Sequence, residues 1–226
     1  MSMTAREVAL RLRDFTRKEL IADGVIHVIG IIAALAGAAV LLVGIATHGT
    51  AREFAALTIY SGGLIAMLLC SFAYNLFRNS RFGELLRRFD HSAIFAMIAG
   101  TYTPFTALRL EGLLGLGSTT VVWLTAASGV GLRLLRPHLF DRLSIGFYLV
   151  LGWIGILAID PMLETLRLST VLLLAAGGLL YSIGVMFHLW ERLPFQNAIW
   201  HAFVLTAAGV HYAAILDEIV MFHMSR

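Results

Sequence analysis

Apolar residues gather into seven long stretches of this chain, at 24–48, 55–77, 91–108, 113–134, 145–159, 168–190 and 198–222. Crossing about 30 Å of hydrocarbon as a helix takes about 20 residues, so most of these stretches are long enough to span a bilayer. Backbone N–H and C=O groups in lipid must be satisfied within the segment, which predicts helices rather than open strands. The alternating ten-residue segments of a membrane barrel are absent. The fifth stretch is short and runs into Asp160-Pro161, a natural stop. Pro104 interrupts the third, where it removes one helical hydrogen bond and predicts a kink. Small-residue faces in the spans, Gly30, Ala34, Gly37 and Gly44 in the first and Gly177 with Gly178 in the sixth, predict close helix packing. The expected fold is all-α: a polytopic bundle of seven transmembrane helices over residues 21–226, preceded by a segment at 1–20.

The basic residues orient this bundle. Thirteen of the seventeen lysines and arginines fall in the N-terminal tail and in the loops after the second, fourth and sixth stretches, while Arg52, Arg109, Arg167 and Arg226 fall on the other side. The positive-inside rule then places the N-terminus in the cytoplasm and the C-terminus outside, in a bacterial inner membrane. Within the tail, Val8, Leu12 and Phe15 share one helical face and arginines occupy the rest, the pattern of an amphipathic helix on the cytoplasmic leaflet.

Placed on that topology, nearly every polar or ionisable side chain within the stretches lies near the cytoplasmic end. Asp23 and His27 are four apart at the start of the first span, with Glu19 one turn before them. Ser71 and Asn75 are four apart at the end of the second; Asp90 and His91 open the third; His188 closes the sixth; Asn197 and His201 open the seventh, again four apart. Positions four apart share a helical face. His211 is ten residues beyond His201, about 15 Å deeper at helical rise. Carboxylate, imidazole and hydroxyl groups gathered at one depth are costly in hydrocarbon, so the cluster is a functional-site candidate, suited to a metal or to proton transfer.

Composition narrows the class further. The 226 residues are 59% hydrophobic and only 14% charged, with a mean hydropathy of +0.83, whereas soluble chains are about one quarter charged. Membrane lipids are the expected partners. The net charge of +3 arises from loop arginines, which argues against nucleic acid as a partner. Cys70 is the single cysteine, so no internal disulfide forms. The first twenty residues lack an apolar core and predict no cleavable signal peptide. The only lysine, Lys18, excludes a retinal Schiff base in the last span, and a cytoplasmic N-terminus is opposite to that of a G-protein-coupled receptor.

Three segments carry a resemblance. The run from Glu19 through Asp23 and His27 to Gly30, the run Arg88-Phe-Asp90-His91 continuing to Ala99-Gly-Thr-Tyr-Thr-Pro104-Phe, and Ala198-Ile-Trp-His201 followed by Val210-His211-Tyr together resemble the hemolysin III family. These are bacterial relatives of the progestin and adiponectin receptors, and the resemblance covers essentially the whole chain. It implies a seven-helix protein tied to membrane lipid homeostasis. It also implies a zinc ion at the inner side, held by a Ser-x3-His on the second span, an aspartate opening the third and a His-x3-His on the seventh. By position these are Ser71, Asp90 and His201, with Asn75 and Asn197 standing where the family carries its other two histidines. By analogy, metal-bound water there would attack a lipid amide or ester. Ser71 and Asp90 would orient the water and His201 would be ligand or base. Asparagine is a weak, neutral oxygen donor, poor for zinc. His27, His91 and His211 are the imidazoles that could compensate. Without a metal, the two asparagines could hydrogen-bond each other, His201 and Asp90. Three functions therefore compete: a lipid amide or ester hydrolase, a non-catalytic lipid sensor that has lost the metal, and the cytolytic pore that the family name denotes.

Overall fold

The structure, a computed structural model, describes residues 15–46 and 49–220, and every regular element among them is helical. Most of the amphipathic pattern in the tail, including Val8 and Leu12, lies outside the described residues, as do His48 and Phe222. The elements are α1 (Arg17–Ala46), α2 (Ala51–Phe77), α3 (Gly83–Leu108), α4 (Gly112–Leu135), α5 (Pro137–Trp153), a 3-10 segment (Ile154–Ala158), α6 (Ile159–Thr165), α7 (Leu168–Leu189), α8 (Gln196–Ile215) and a π turn (Leu216–Val220). Six helical runs are long and apolar enough to cross a membrane: α1, α2, α4, Leu143–Thr165, α7 and Gln196–Ile219. Their large apolar side chains face outward, among them Ile32, Val43, Leu124, Leu157 and Met186. An outward apolar surface on helices with satisfied backbones is what lipid requires. The chain is a helical membrane bundle.

The helix α3 is less apolar than these, since Glu84, Arg87, Arg88, Asp90 and His91 fill its first turns and Thr101, Tyr102, Thr103, Pro104 and Thr106 dilute its second half. It compensates by position. Its second half, with Phe95, Met97, Ala99 and Phe105, is buried, and it packs against α2 and α4 over long interfaces. The main core lies among α1, α2, α3, α7 and α8, and a smaller one built on Phe95, Ala126, Phe140 and Leu151 joins α3 to α4 and α5. Close approach is bought by glycine at Gly37, where a Cβ would sit 2.9 Å from the Tyr212 ring, and at Gly177, where one would sit 2.2 Å from His211.

Three expectations need correction. Pro104 does not interrupt α3, which continues to Leu108. Thr101, Thr103 and Thr106 turn their hydroxyls onto the carbonyls of Met97, Ala99 and Tyr102, and Trp123 and Thr119 of α4 bond to Thr103 and Thr106. Packing on both sides of the proline keeps the helix in one piece. Asp160-Pro161 does not stop the fifth stretch either. Pro161 occupies the first turn of α6, where a missing N–H costs nothing, so this crossing runs Leu143–Thr165 with a 3-10 break at its middle.

The polar groups are also not confined to one end. At the end opposite the basic loops, the buried Glu218 of the π turn forms an ion pair with Arg109, whose Nε lies 3.1 Å away, and accepts the Arg167 backbone N–H at 3.1 Å and the Thr170 hydroxyl at 3.0 Å. The Glu218 carbonyl accepts a further Arg109 N–H. Its neighbour Asp217 accepts from Arg167, Ser169 and Thr170. This network clamps the end of α8 to α3 and to the start of α7.

Candidate functional site

At the basic end, four helices each contribute one or two polar side chains to a single cluster. The helix α1 begins with a capping box: Thr16 accepts from the Glu19 backbone, and the Glu19 carboxylate accepts from the Thr16 backbone and hydroxyl. The other Glu19 oxygen accepts the Phe195 backbone N–H at 2.8 Å. Phe195 has φ 57°, a left-handed turn that starts α8. Glu19 therefore fixes the start of α8 against the start of α1, which sets His201 beside Asp23.

That pairing is the centre of the site. His201 Nδ1 lies 2.5 Å from Asp23 Oδ1. His27 Nδ1 lies 2.9 Å from the Asp23 carbonyl oxygen and 3.5 Å from Asp23 Oδ2. A carbonyl and a carboxylate only accept, so both imidazoles carry a proton on Nδ1, and each ring in its neutral form presents a bare Nε2. Both bare nitrogens point at Ser71 Oγ, which lies 3.1 Å from His27 Nε2 and 3.4 Å from His201 Nε2. The two rings meet edge to face with centroids 4.5 Å apart. Asp23 and His27 are almost wholly buried, and Ser71 nearly so. Asp90, two turns into α3, interacts with Ser71 and His201.

The asparagines bond to each other. Asn197 Nδ2 donates to Asn75 Oδ1 at 3.0 Å, and Asn75 Nδ2 donates to the Ser71 carbonyl at 3.0 Å. His201 is bonded to Asp23 and Ser71 rather than to either amide. His91, His188 and His211 make other contacts. The His91 ring lies tilted to that of Phe140 with centroids 6.4 Å apart, and its backbone carbonyl accepts the Tyr148 hydroxyl. His211 bonds the Leu174 carbonyl at 3.1 Å, and His188 lies against Trp200. Asp23, read from sequence as one member of a wider polar cluster, contacts both imidazoles. Its spacing of four from His27 was the visible signal. The pairing with His201, 178 positions away, was not.

These side chains open onto a cavity of about 1900 Å³, lined mainly by apolar groups of α3, α5, α7 and α8 and reaching as far as Leu110 and Leu166 at the opposite end. The cavity exists because the fifth crossing packs loosely against its neighbours. An apolar channel with a few convergent polar groups at one end has the form of a small-molecule binding site.

A zinc ion at positions 75, 197 and 201 does not fit these residues, because Asn75 Oδ1 is engaged by Asn197 and the amides replace imidazoles. A different group is metal-capable: Asp23, His27 and His201 offer one ligand atom each within 4.8 Å of one another.

A helical membrane bundle with a polar site at one end of an apolar cavity defines the class. Residues 15–212 match the family described as Haemolysin-III related, and the chain belongs to that family. It is 36% identical to Hemolysin-3 of Bacillus cereus over 210 residues, covering 93% of this chain and 95% of that protein. It is 35% identical to the Hemolysin-3 homolog of Bacillus subtilis (strain 168) over 202 residues, 89% of this chain and 95% of that one. It is also 35% identical to the human Monocyte to macrophage differentiation factor over 163 residues, 70% of this chain and 67% of that one.

Proposed function

We propose that this protein is a lipid amide or ester hydrolase of the bacterial inner membrane, serving membrane lipid homeostasis. The observation that carries this reading is the convergence of two imidazole Nε2 atoms on the Ser71 hydroxyl at the head of the apolar cavity. In this reading α3 is a crossing too, the third of seven, and the basic end faces the cytoplasm. A cysteine introduced at Arg81 should then be labelled only after the membrane is permeabilised, and labelling in intact cells would reverse the orientation.

Turnover is tested with the purified full chain in nanodiscs, given an N-acyl sphingoid lipid or a phospholipid, with free fatty acid as readout. Release that disappears in His201→Ala supports the proposal; release no faster than in that variant sinks it. The Asn75–Asn197 bond, standing where the family places metal-ligating histidines, favours a second reading: a sensor that binds an acyl lipid without cleaving it. Intact lipid bound to the protein with no fatty acid formed would select that reading. Efflux of dye from liposomes is the outcome that would favour a pore.

If zinc is held, His27, His201 and Asp23 are the residues that would hold it, and it would supply a Lewis acid for the lipid carbonyl. Changing Asn75 and Asn197 together to histidine should raise bound zinc toward one ion per chain. No rise would mean that the geometry at positions 75 and 197 differs from the family's.

A further inference from the structure

We infer that Ser71 is itself the nucleophile, with His201 as its base and Asp23 as the group that orients His201. This deepens the hydrolase reading above and rests on it. A Ser–His–Asp set is recognised by geometry and roles, not by position in the chain. Here Asp23 Oδ1 accepts His201 Nδ1–H at 2.5 Å, and the opposite ring nitrogen faces Ser71 Oγ at 3.4 Å. The carboxylate fixes the tautomer that leaves Nε2 free to take the hydroxyl proton. His27 adds a second bare Nε2 at 3.1 Å from the same oxygen, its own Nδ1–H held by the Asp23 carbonyl. Ser71 has one proton and faces two imidazole acceptors and the Asp90 carboxyl. A buried serine surrounded in this way is built to lose its proton to a neighbour.

The two asparagines take a role in the same set. A primary amide carries two N–H bonds, and the contacts of Asn75 and Asn197 each use one. The second N–H of each is the donor available for a developing oxyanion at the cavity, which both residues line. The exchange of imidazole for amide at these positions then replaces a charged electrophile with hydrogen-bond donors.

The chemistry closes without a further reagent than water. Ser71 Oγ bonds to the carbonyl carbon of the acyl lipid as its proton passes to His201 Nε2. The carbon–oxygen or carbon–nitrogen bond to the lipid alcohol or amine breaks, and His201 returns the proton to that leaving group. Water then attacks the Ser71 ester and gives a proton to His201. The fatty acid departs as Ser71 Oγ recovers that proton.

The test uses the full chain in detergent micelles with an alkyl fluorophosphonate, which phosphorylates an activated serine with loss of fluoride. Peptide mass spectrometry should find one adduct, on Ser71. Its rate should fall at least about 100-fold in His201→Gln, a variant chosen to keep a polar side chain at the site. A chelator such as 1,10-phenanthroline should leave the native rate within about twofold, since no metal takes part in the step. Fatty acid release that continues in Ser71→Ala, or that stops with chelator, would overturn the nucleophile while leaving the hydrolase reading in place. Absence of both adduct and fatty acid release in the native chain would overturn the two together.

Discussion

The two ends of the bundle are polar in different ways. At the end away from the basic loops, Glu218 and Asp217 face Arg109, Arg167, Ser169 and Thr170, and the acceptor oxygens are matched with donors. At the basic end, Ser71, His27 and His201 bring three lone-pair atoms together over one hydroxyl proton, beside two aspartates and on the wall of a large cavity. The first arrangement is charge-compensated and holds helices together. The second is rich in proton acceptors and open to a ligand. Buried polar groups in a membrane protein therefore need sorting by satisfaction and access before they are read as function.

The sharpest way to break the comparison is Asp23→Asn. It removes the carboxylate that fixes the His201 tautomer, and the corresponding loss in serine hydrolases is about 10⁴-fold in turnover. Fatty acid release from nanodisc lipid should fall by that order while the unfolding midpoint moves little. A loss below tenfold, with a large drop in stability, would make Asp23 a clamp of the Glu218 kind.

Glu218→Ala tests the other end. It removes the buried carboxylate that pairs with Arg109 and accepts the Arg167 N–H, leaving Thr170 with Asp217 alone, and breaking such a buried pair costs about 3–5 kcal/mol. Denaturant unfolding in mixed micelles should show this, with turnover per folded molecule unchanged. Turnover lost in parallel with Asp23→Asn would show that the two ends are coupled and that the division drawn here fails.

Asn197→Ala comes next. It removes one donor to the oxyanion and the partner of Asn75 Oδ1. Loss of a single such donor lowers turnover by about 10²–10³-fold with modest change in substrate affinity. Weakened lipid binding at unchanged turnover would instead assign Asn197 to packing between α2 and α8.

Much of this bundle was legible in the chain because lipid imposes a simple code. Runs such as 168–190 have few ways to satisfy their backbone other than as a helix, and α7 occupies Leu168–Leu189. The pairs Asp23/His27, Ser71/Asn75 and Asn197/His201 declared their shared faces by spacing alone. Less legible was what tertiary packing decides. Pro104 lies inside a continuous helix, and the bonds of Thr103, Thr106, Trp123 and Thr119 around it have no local signal. The bond between Asp23 and His201 joins the first helix to the last, and no local pattern announces it. Asp217 and Glu218 lay at the end of the final apolar run, where acidic residues look solvated. Only the approach of Arg109 from α3 and Arg167 from the start of α7 shows that both are paired, Glu218 in a buried place and Asp217 in a half-exposed one.

The smallest effect separates the parts of that clamp. Arg167 reaches Asp217 through its side chain at 3.2 Å, but both groups are substantially exposed, at 40% and 29%. Its stronger contribution is the backbone N–H bonded to Glu218, which any residue at this position retains. Arg167→Ala should therefore cost no more than about 1 kcal/mol, the range of an exposed ion pair, and that cost should shrink as salt is raised. Asp217 also keeps Ser169 and Thr170 as donors when the guanidinium is gone. A loss comparable to that of Glu218→Ala would mean that the two carboxylates act as one charged unit. The compensation at this end would then depend on both arginines rather than on Arg109 alone.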